Sequence, residues 1–403
     1  MQQVDARIKA GAKPVNRHLV LLVLVQVLFM IGNMMFVALA PVLGKALAGS
    51  MSLATLPLAI SILTMLICSF PLSMAMGRLG RKPVFAFGIV ANLAAGVIFF
   101  SAVKLQLFSL FLLGSVAFGL SMASANFYRF AAMELVEKHR QALAISAVMA
   151  AGVVAAVVGP NLGAVTQHLF FEQAFASSVL LYIPISIIAM ALLLFIQWPQ
   201  LQASSTKVDL PLDLKGEIWQ PMFTAAVAYG VMVLIMSATP LHMSHHHYDF
   251  SDTAWVIQWH LIGMFAPSFF VSGLVKRLGL KGLLLLGTLV LVASLLVNLM
   301  AQSRTLLTLG LLLLGIGWNF LFLGASQWLM KLSEHKNGAK VQGVNEVLVF
   351  GFAAIATFSS GWLLAEFGWI ILNLASLPLL ALLLVVLLKS HGLKPNLTAV
   401  VSD

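Results

Sequence analysis

Three ionisable side chains stand within segments that are otherwise apolar: Arg129, His260 and Glu346. Charge inside a bilayer is costly, and by default it marks a transport pathway or a proton relay. His260 lies deepest, in Gln258-Trp259-His260, and an imidazole changes charge near neutral pH, so it is a candidate proton carrier. The competing reading is a neutral histidine hydrogen-bonded between helices. Glu346 opens its segment; it is either the second proton-coupling candidate or a residue facing the cytosol. Arg129 sits about one turn from a segment end. There it snorkels to the interface, anchors an anionic solute group, or pairs with Glu134 or Glu346 as a gate.

Neutral polar and aromatic residues recur at helical spacing around these three. Gln26 and Asn33 are seven apart and share a face, as do Asn319 and Gln327, eight apart, with Trp318 beside them. Trp255 and Trp259 are four apart, Asn126, Tyr128 and Arg129 cluster, and Gln342, Asn345 and Glu346 share a face. A lining of amides and rings with few fixed charges suits a neutral, zwitterionic or weakly anionic organic solute able to stack, such as a vitamin, drug or small metabolite. Nothing in it calls for a cofactor. His242, His245, His246, His247, Asp249 and Asp252 crowd one connection, and such groups can ligate transition metals. They lack a fixed ligand spacing, so no metal site is expected.

These residues need a scaffold in lipid. Hydrophobic residues form 61% of the 403-residue chain and charged residues 9%, against about 45–50% and 25% in soluble domains. A spanning helix needs about 20 mostly apolar residues. Twelve segments qualify: 18–46, 52–75, 84–103, 107–130, 142–166, 178–197, 220–241, 253–273, 282–301, 305–330, 341–365 and 368–388. A barrel would need alternating polarity, and runs such as Leu283-Leu284-Leu285-Leu286 do not alternate. The first segment lacks a cleavage signal and is expected to be retained. One cysteine, Cys68, excludes an intrachain disulfide.

The net charge of +10 is spread over short loops, with no segment fit to bind nucleic acid. It reads instead as the positive-inside rule. With twelve helices, one side carries 19 of the 23 basic residues: Arg7, Lys9, Lys13, Arg17, Arg78, Arg81, Lys82, Lys138, Arg140, Lys207, Lys215, Lys276, Arg277, Lys281, Lys331, Lys336, Lys340, Lys389 and Lys394. Lys45, Lys104 and Arg304 fall on the other. Both termini are therefore expected in the cytoplasm. The polar stretch 199–218 reads as a cytoplasmic linker between an N-terminal half, 1–198, and a C-terminal half, 219–403.

The halves carry matching loops. Gly77-Arg78-Leu79-Gly80-Arg81-Lys82 and Lys276-Arg277-Leu278-Gly279-Leu280-Lys281 lie 199 residues apart, each after the second segment of its half. Such spacing suggests a duplicated six-helix unit, a common plan of secondary transporters. In these loops the chain resembles the major facilitator superfamily, and the resemblance covers essentially its full length. The family loop reads Gly-x-x-x-Asp-Arg-x-Gly-Arg-Lys. Arg78, Gly80, Arg81 and Lys82 match it, Ser73 and Gly77 replace the first glycine and the aspartate, and the second copy keeps Arg277, Gly279 and Lys281.

The resemblance implies an all-α polytopic fold, with twelve transmembrane helices in two pseudo-symmetric six-helix bundles. It implies alternating access, a cavity lined by helices 1, 4, 7 and 10 with 2, 5, 8 and 11 beside it, and a conformational latch at the matched loops. The missing aspartate leaves that latch without one partner. Gly159-Pro160-Asn161-Leu162-Gly163 resembles the Gly-Pro-x-x-Gly element of exporters in the family; physically, Pro160 removes a helix bond and Gly159 and Gly163 permit a kink or close crossing. The arginine that such exporters carry midway along helix 4 is absent from Leu112-Leu113-Gly114.

Phe127-Tyr128-Arg129-Phe130, Gly317-Trp318-Asn319-Phe320 and Gln258-Trp259-His260 are similar to stretches of bacterial facilitators for which vitamin uptake, including riboflavin, has been proposed. The expectation is a monomeric secondary active transporter of a small organic solute in a bacterial inner membrane, surrounded by lipid, with a proton as candidate coupling ion. The alternatives are an uncoupled facilitator of a vitamin-like or siderophore-like solute and a drug or metabolite exporter. A channel would not saturate or support counterflow, and an enzyme would need a catalytic constellation, for which the external histidine-aspartate cluster is the only candidate.

Overall fold

The computed structural model describes residues 16–137, 140–198, 217–301, 303–333 and 338–390. Arg7, Lys9, Lys13, Lys138, Lys207, Lys215, Lys336, Lys394 and the 199–216 part of the expected linker lie outside the described residues. Ten helices are long and apolar enough to cross a membrane. One of them, the 50-residue stretch Lys340–Lys389, breaks at Gly368 (φ 76°, ψ 179°), and Ser268–Leu299 breaks at Gly279 (φ 70°, ψ 169°). Division at these two glycines yields twelve spans among the described residues.

Spans 1 to 3 are Arg17–Ala48, Leu56–Leu79 and Arg81–Leu105. Span 4 is Phe108–Glu134, interrupted at Asn126 and Phe127; span 5 is Gln141–Val165; span 6 is Ala176–Leu194. Span 7 is Trp219–His245, and span 8 is Phe250–Phe265 continued by 268–278. Spans 9 to 12 are 280–299, Arg304–Ser333, 338–367 and 369–389. Span 2 starts four residues later than its composition suggests, because Pro57 favours the first helical turn, where its missing N–H costs nothing.

The paired loops adopt one conformation twice. Gly80 (φ 90°, ψ 171°) and Gly279 occupy the same positive-φ region. Two residues beyond each, a lysine reaches a helix end: Lys82 Nζ donates to the carbonyls of Leu194 (2.7 Å) and Ile196 (3.2 Å), and Lys281 Nζ to those of Leu388 (3.0 Å) and Ser390 (3.4 Å). The last carbonyls of a helix lack intrahelical partners and carry partial negative charge, so an ammonium satisfies both needs. Arg81 Nε donates to Glu134 Oε2 at 2.8 Å, so this arginine pairs at the end of span 4 in place of the absent aspartate. Arg78 and Arg277 are exposed.

Positive φ disfavours any side chain with a Cβ. Gly80→Ala and Gly279→Ala should each lower stability by about 1–2 kcal/mol. Gly77→Ala meets nothing within 4 Å and should leave thermal unfolding in detergent unchanged. Equal unfolding temperatures for all three variants would contradict the loop geometry.

Gly159 and Gly163 act as a crossing. A Cβ on Gly159 would lie 2.8 Å from the Ile31 carbonyl oxygen and 2.8 Å from Met34 Cβ, and one on Gly163 would lie 3.3 Å from Met35 Cγ. Span 5 runs without interruption through Pro160. The element therefore brings span 5 against span 1 rather than ending a helix. Inside the N-terminal half, Tyr182 anchors the packing: its hydroxyl donates to the Gly32 carbonyl at 2.7 Å and its ring meets Phe118 edge-on at 5.7 Å.

Candidate solute cavity

Between the halves lies a cavity of about 250 Å³, walled by residues from spans 1, 2, 4, 5, 7, 8, 10 and 11. It continues into a crevice of about 100 Å³ that shares Asn33, Tyr229 and Met264. Contacts between halves cluster at the end of the bundle away from the termini. There Gly361 N donates to Thr55 Oγ1 (3.1 Å), the rings of Phe175 and Phe250 meet at 4.8 Å, and Asn161 donates to Gln258. Toward the termini the cavity opens: Asn126 is exposed, and the side chains of Arg129 and Glu346 are 39% and 37% exposed. At this mouth an ion pair from Arg129 Nη2 to Glu346 Oε1, at 3.3 Å, spans the halves.

The two walls differ in chemistry. Span 1 supplies Gln26 and Asn33, and span 4 supplies Asn126 and Arg129. The C-terminal half presents rings: Trp318 stacks on Phe322 (5.0 Å, 10°), and Tyr229 meets Trp318, Phe322 and Phe350 edge-on at 5.5, 5.8 and 5.4 Å. Such mutual support holds the rings in place before a ligand arrives. Three wall residues also carry buried polar atoms with no partner among the described residues: Gln26 Oε1, Arg129 Nε and Trp318 Nε1. Buried polar groups are normally satisfied, so these atoms lack their usual partners.

Of the residues singled out by spacing, Gln26, Asn33, Asn126, Arg129, Trp318 and Glu346 line this cavity. The others do not. Tyr128 turns into the N-terminal half, its ring 4.7 Å from that of Phe85, because the helix is interrupted just before it. Asn319 is one residue beyond Trp318, about 100° around the helix. It faces span 8, donating to the Met264 carbonyl (2.7 Å) and to Ser268 Oγ (2.6 Å). Gln327, nine residues past Trp318, falls on the opposite side of span 10 by the same period. Trp255 is 41% exposed near the far end, 5.7 Å from the Arg304 guanidinium and 5.9 Å from Trp259, which also lies outside the cavity.

His260 is fully buried between spans 8 and 10, its Nδ1 2.8 Å from the Leu311 carbonyl. That carbonyl can only accept, so Nδ1 must carry the proton. His260 thus matches the hydrogen-bonded reading and lies off the cavity wall. The far-end histidines also disperse: His242 stacks on Trp369 at 4.4 Å, while Asp252 pairs with Arg304 at 2.5 Å. Among the described residues, no three His, Cys, Asp or Glu side chains converge as metal ligands would. The rings of Tyr229, Phe322 and Phe350 escape a reading based on polarity. The one signal for Phe322 and Phe350 is i,i+4 spacing, Trp318 to Phe322 and Glu346 to Phe350.

Residues 22–221 and 221–400 each match the sequence profile of the Major Facilitator Superfamily. The chain belongs to the major facilitator superfamily. Riboflavin transporter RfnT of Brucella anthropi is 32% identical over 391 residues, covering 96% of this chain and 98% of that one. The uncharacterized MFS-type transporter YddS of Bacillus subtilis is 27% identical over 375 residues, covering 87% and 86%. Among solved structures, a point variant of the E. coli fucose:proton symporter FucP superposes with a TM-score of 0.63 at 15% identity, covering 92% of this chain and 97% of that one. That likeness concerns the fold. The protein is thus an all-helical, multi-pass membrane transporter of a small solute, built on the major facilitator plan.

Proposed function

We propose that this transporter carries riboflavin, or a solute of the same kind with one flat aromatic end and one polar end. The observation that carries the reading is the two-faced cavity, with the stacked rings of the C-terminal half opposite Gln26, Asn33 and Asn126 of the N-terminal half. A tricyclic ring stacks on the first wall, and hydroxyls exchange hydrogen bonds with amides on the second. The similarity to RfnT over nearly the whole chain supports the same solute. The protein works as a monomer in a bacterial inner membrane, with the linker 199–218 and both termini in the cytoplasm. The cavity opens toward the termini, so this conformation is the inward-facing state of an alternating-access cycle. Binding tests the reading: purified protein should quench riboflavin fluorescence saturably, and monodisperse protein that does not would contradict it.

One observation favours a second reading, proton-coupled carriage. Glu346 is the only carboxylate on the cavity wall among the described residues, and it is paired across the halves, so a proton on it would release Arg129. Glu346→Gln should then abolish accumulation driven by an imposed pH gradient. His260→Gln should leave that accumulation intact, since His260 is off the wall. The reverse pattern would return the proton to His260. Accumulation that ignores the gradient in the unaltered protein would leave the uncoupled facilitator.

A further inference from the structure

The cavity wall carries one cation and one anion among the described residues, and they are each other's partner. Arg129 reaches from span 4 and Glu346 from span 11, 3.3 Å apart at the mouth, and every other polar wall residue is neutral. A guanidinium beside an aromatic wall is otherwise a ready site for phosphate or carboxylate, which it binds bidentately. Here one nitrogen of the guanidinium already faces the carboxylate, at 3.3 Å. The carboxylate also places a negative charge where an anionic group on the solute would arrive. Specificity of this sort comes from repulsion as much as from attraction.

We propose that Glu346 is a charge filter: by neutralising Arg129 it confines the site to uncharged flat solutes and rejects their phosphate esters. The proposal rests on the flavin reading above and goes beyond it to a discrimination within that class. Riboflavin and its 5′-phosphate ester, flavin mononucleotide, share the same ring and differ at the end of the polar chain. A phosphate monoester carries about −1.5 to −2 charges at pH 7. To enter, it must displace Glu346 from Arg129 or lie against the carboxylate at the mouth. Riboflavin meets neither obstacle. Removing the carboxylate frees Nη2 of the Arg129 guanidinium, whose side chain is 39% exposed, for the phosphate.

The test compares the two flavins by fluorescence titration on purified protein in detergent. Unaltered protein should bind riboflavin at least about tenfold tighter than the phosphate ester, a difference equivalent to about 1.4 kcal/mol. In Glu346→Gln that affinity ratio should shift by about tenfold or more toward the ester. Glu346→Ala makes the same charge deletion should the glutamine variant fail to fold. Adding Arg129→Gln to either should diminish the shift, because the freed guanidinium supplies part of the gain. An unchanged ratio in the Glu346 variants, or a shift just as large after loss of Arg129, would overturn the filter while leaving riboflavin as solute. Equal binding of both flavins by unaltered protein would do the same. Unaltered protein that binds neither flavin would overturn the flavin reading, and the filter with it.

Discussion

Trp318→Ala should weaken riboflavin binding by about tenfold to a hundredfold while the protein remains folded. Stacking of a flat base on an aromatic side chain contributes about 1–3 kcal/mol, and each 1.4 kcal/mol is a factor of ten in affinity. Trp318 is 8% exposed, lies face to face with Phe322 and edge-on to Tyr229, and carries a buried indole N–H without a partner among the described residues. Its loss enlarges a space that is already open, so the stability cost is smaller than for a closed core. Trp318→Phe keeps a stacking surface and should retain most of the affinity. An alanine variant that binds flavin as tightly as the unaltered protein would remove the ring wall from the account.

Gly159→Val should destabilise the fold by about 3 kcal/mol or more, the upper range for forcing volume into a packed contact. A Cβ there would stand 2.8 Å from the Ile31 carbonyl oxygen and 3.0 Å from the Met35 nitrogen, and backbone cannot swing aside as a flexible side chain can. Spans 1 and 5 would have to separate. Gly273→Ala, at a position where nothing lies within 4 Å, is the matched control. A thermal unfolding midpoint for Gly159→Val equal to that of the control would show that the crossing is looser than described.

The fold was legible in the sequence because its rules are coarse. A span must be long and apolar, and Arg81–Leu105 or Arg304–Ser333 can be read in that way without knowing any neighbour. The paired loops were legible because Gly80 and Gly279 perform the same backbone task 199 residues apart. The cavity was harder. Spacing says which residues share a face but not which neighbour the face meets, and in lipid both faces of a helix are apolar. Trp318 and Asn319 show the limit: they are adjacent in sequence, yet one enters the cavity and the other binds span 8. His260 shows another, since depth in the bilayer is the same for a helix contact as for a cavity wall. Its partner, the Leu311 carbonyl, has no sequence signature. Gln26, Asn33, Asn126, Arg129 and Glu346 were found because a polar group facing lipid is costly. Phe322 and Phe350 carry no such cost, and only their i,i+4 spacing from Trp318 and Glu346 sets them apart from the other aromatic residues; Tyr229 lacks even that.

Counterflow in sealed proteoliposomes asks whether this protein carries riboflavin by alternating access. Vesicles containing the purified protein are loaded with unlabelled riboflavin and diluted into a trace of labelled riboflavin. A carrier working by alternating access should accumulate label transiently above the outside concentration, with saturable rates and a marked loss in Trp318→Ala. Label that enters no faster than in protein-free vesicles, from a preparation that supports counterflow of a solute without an aromatic ring, would contradict riboflavin carriage.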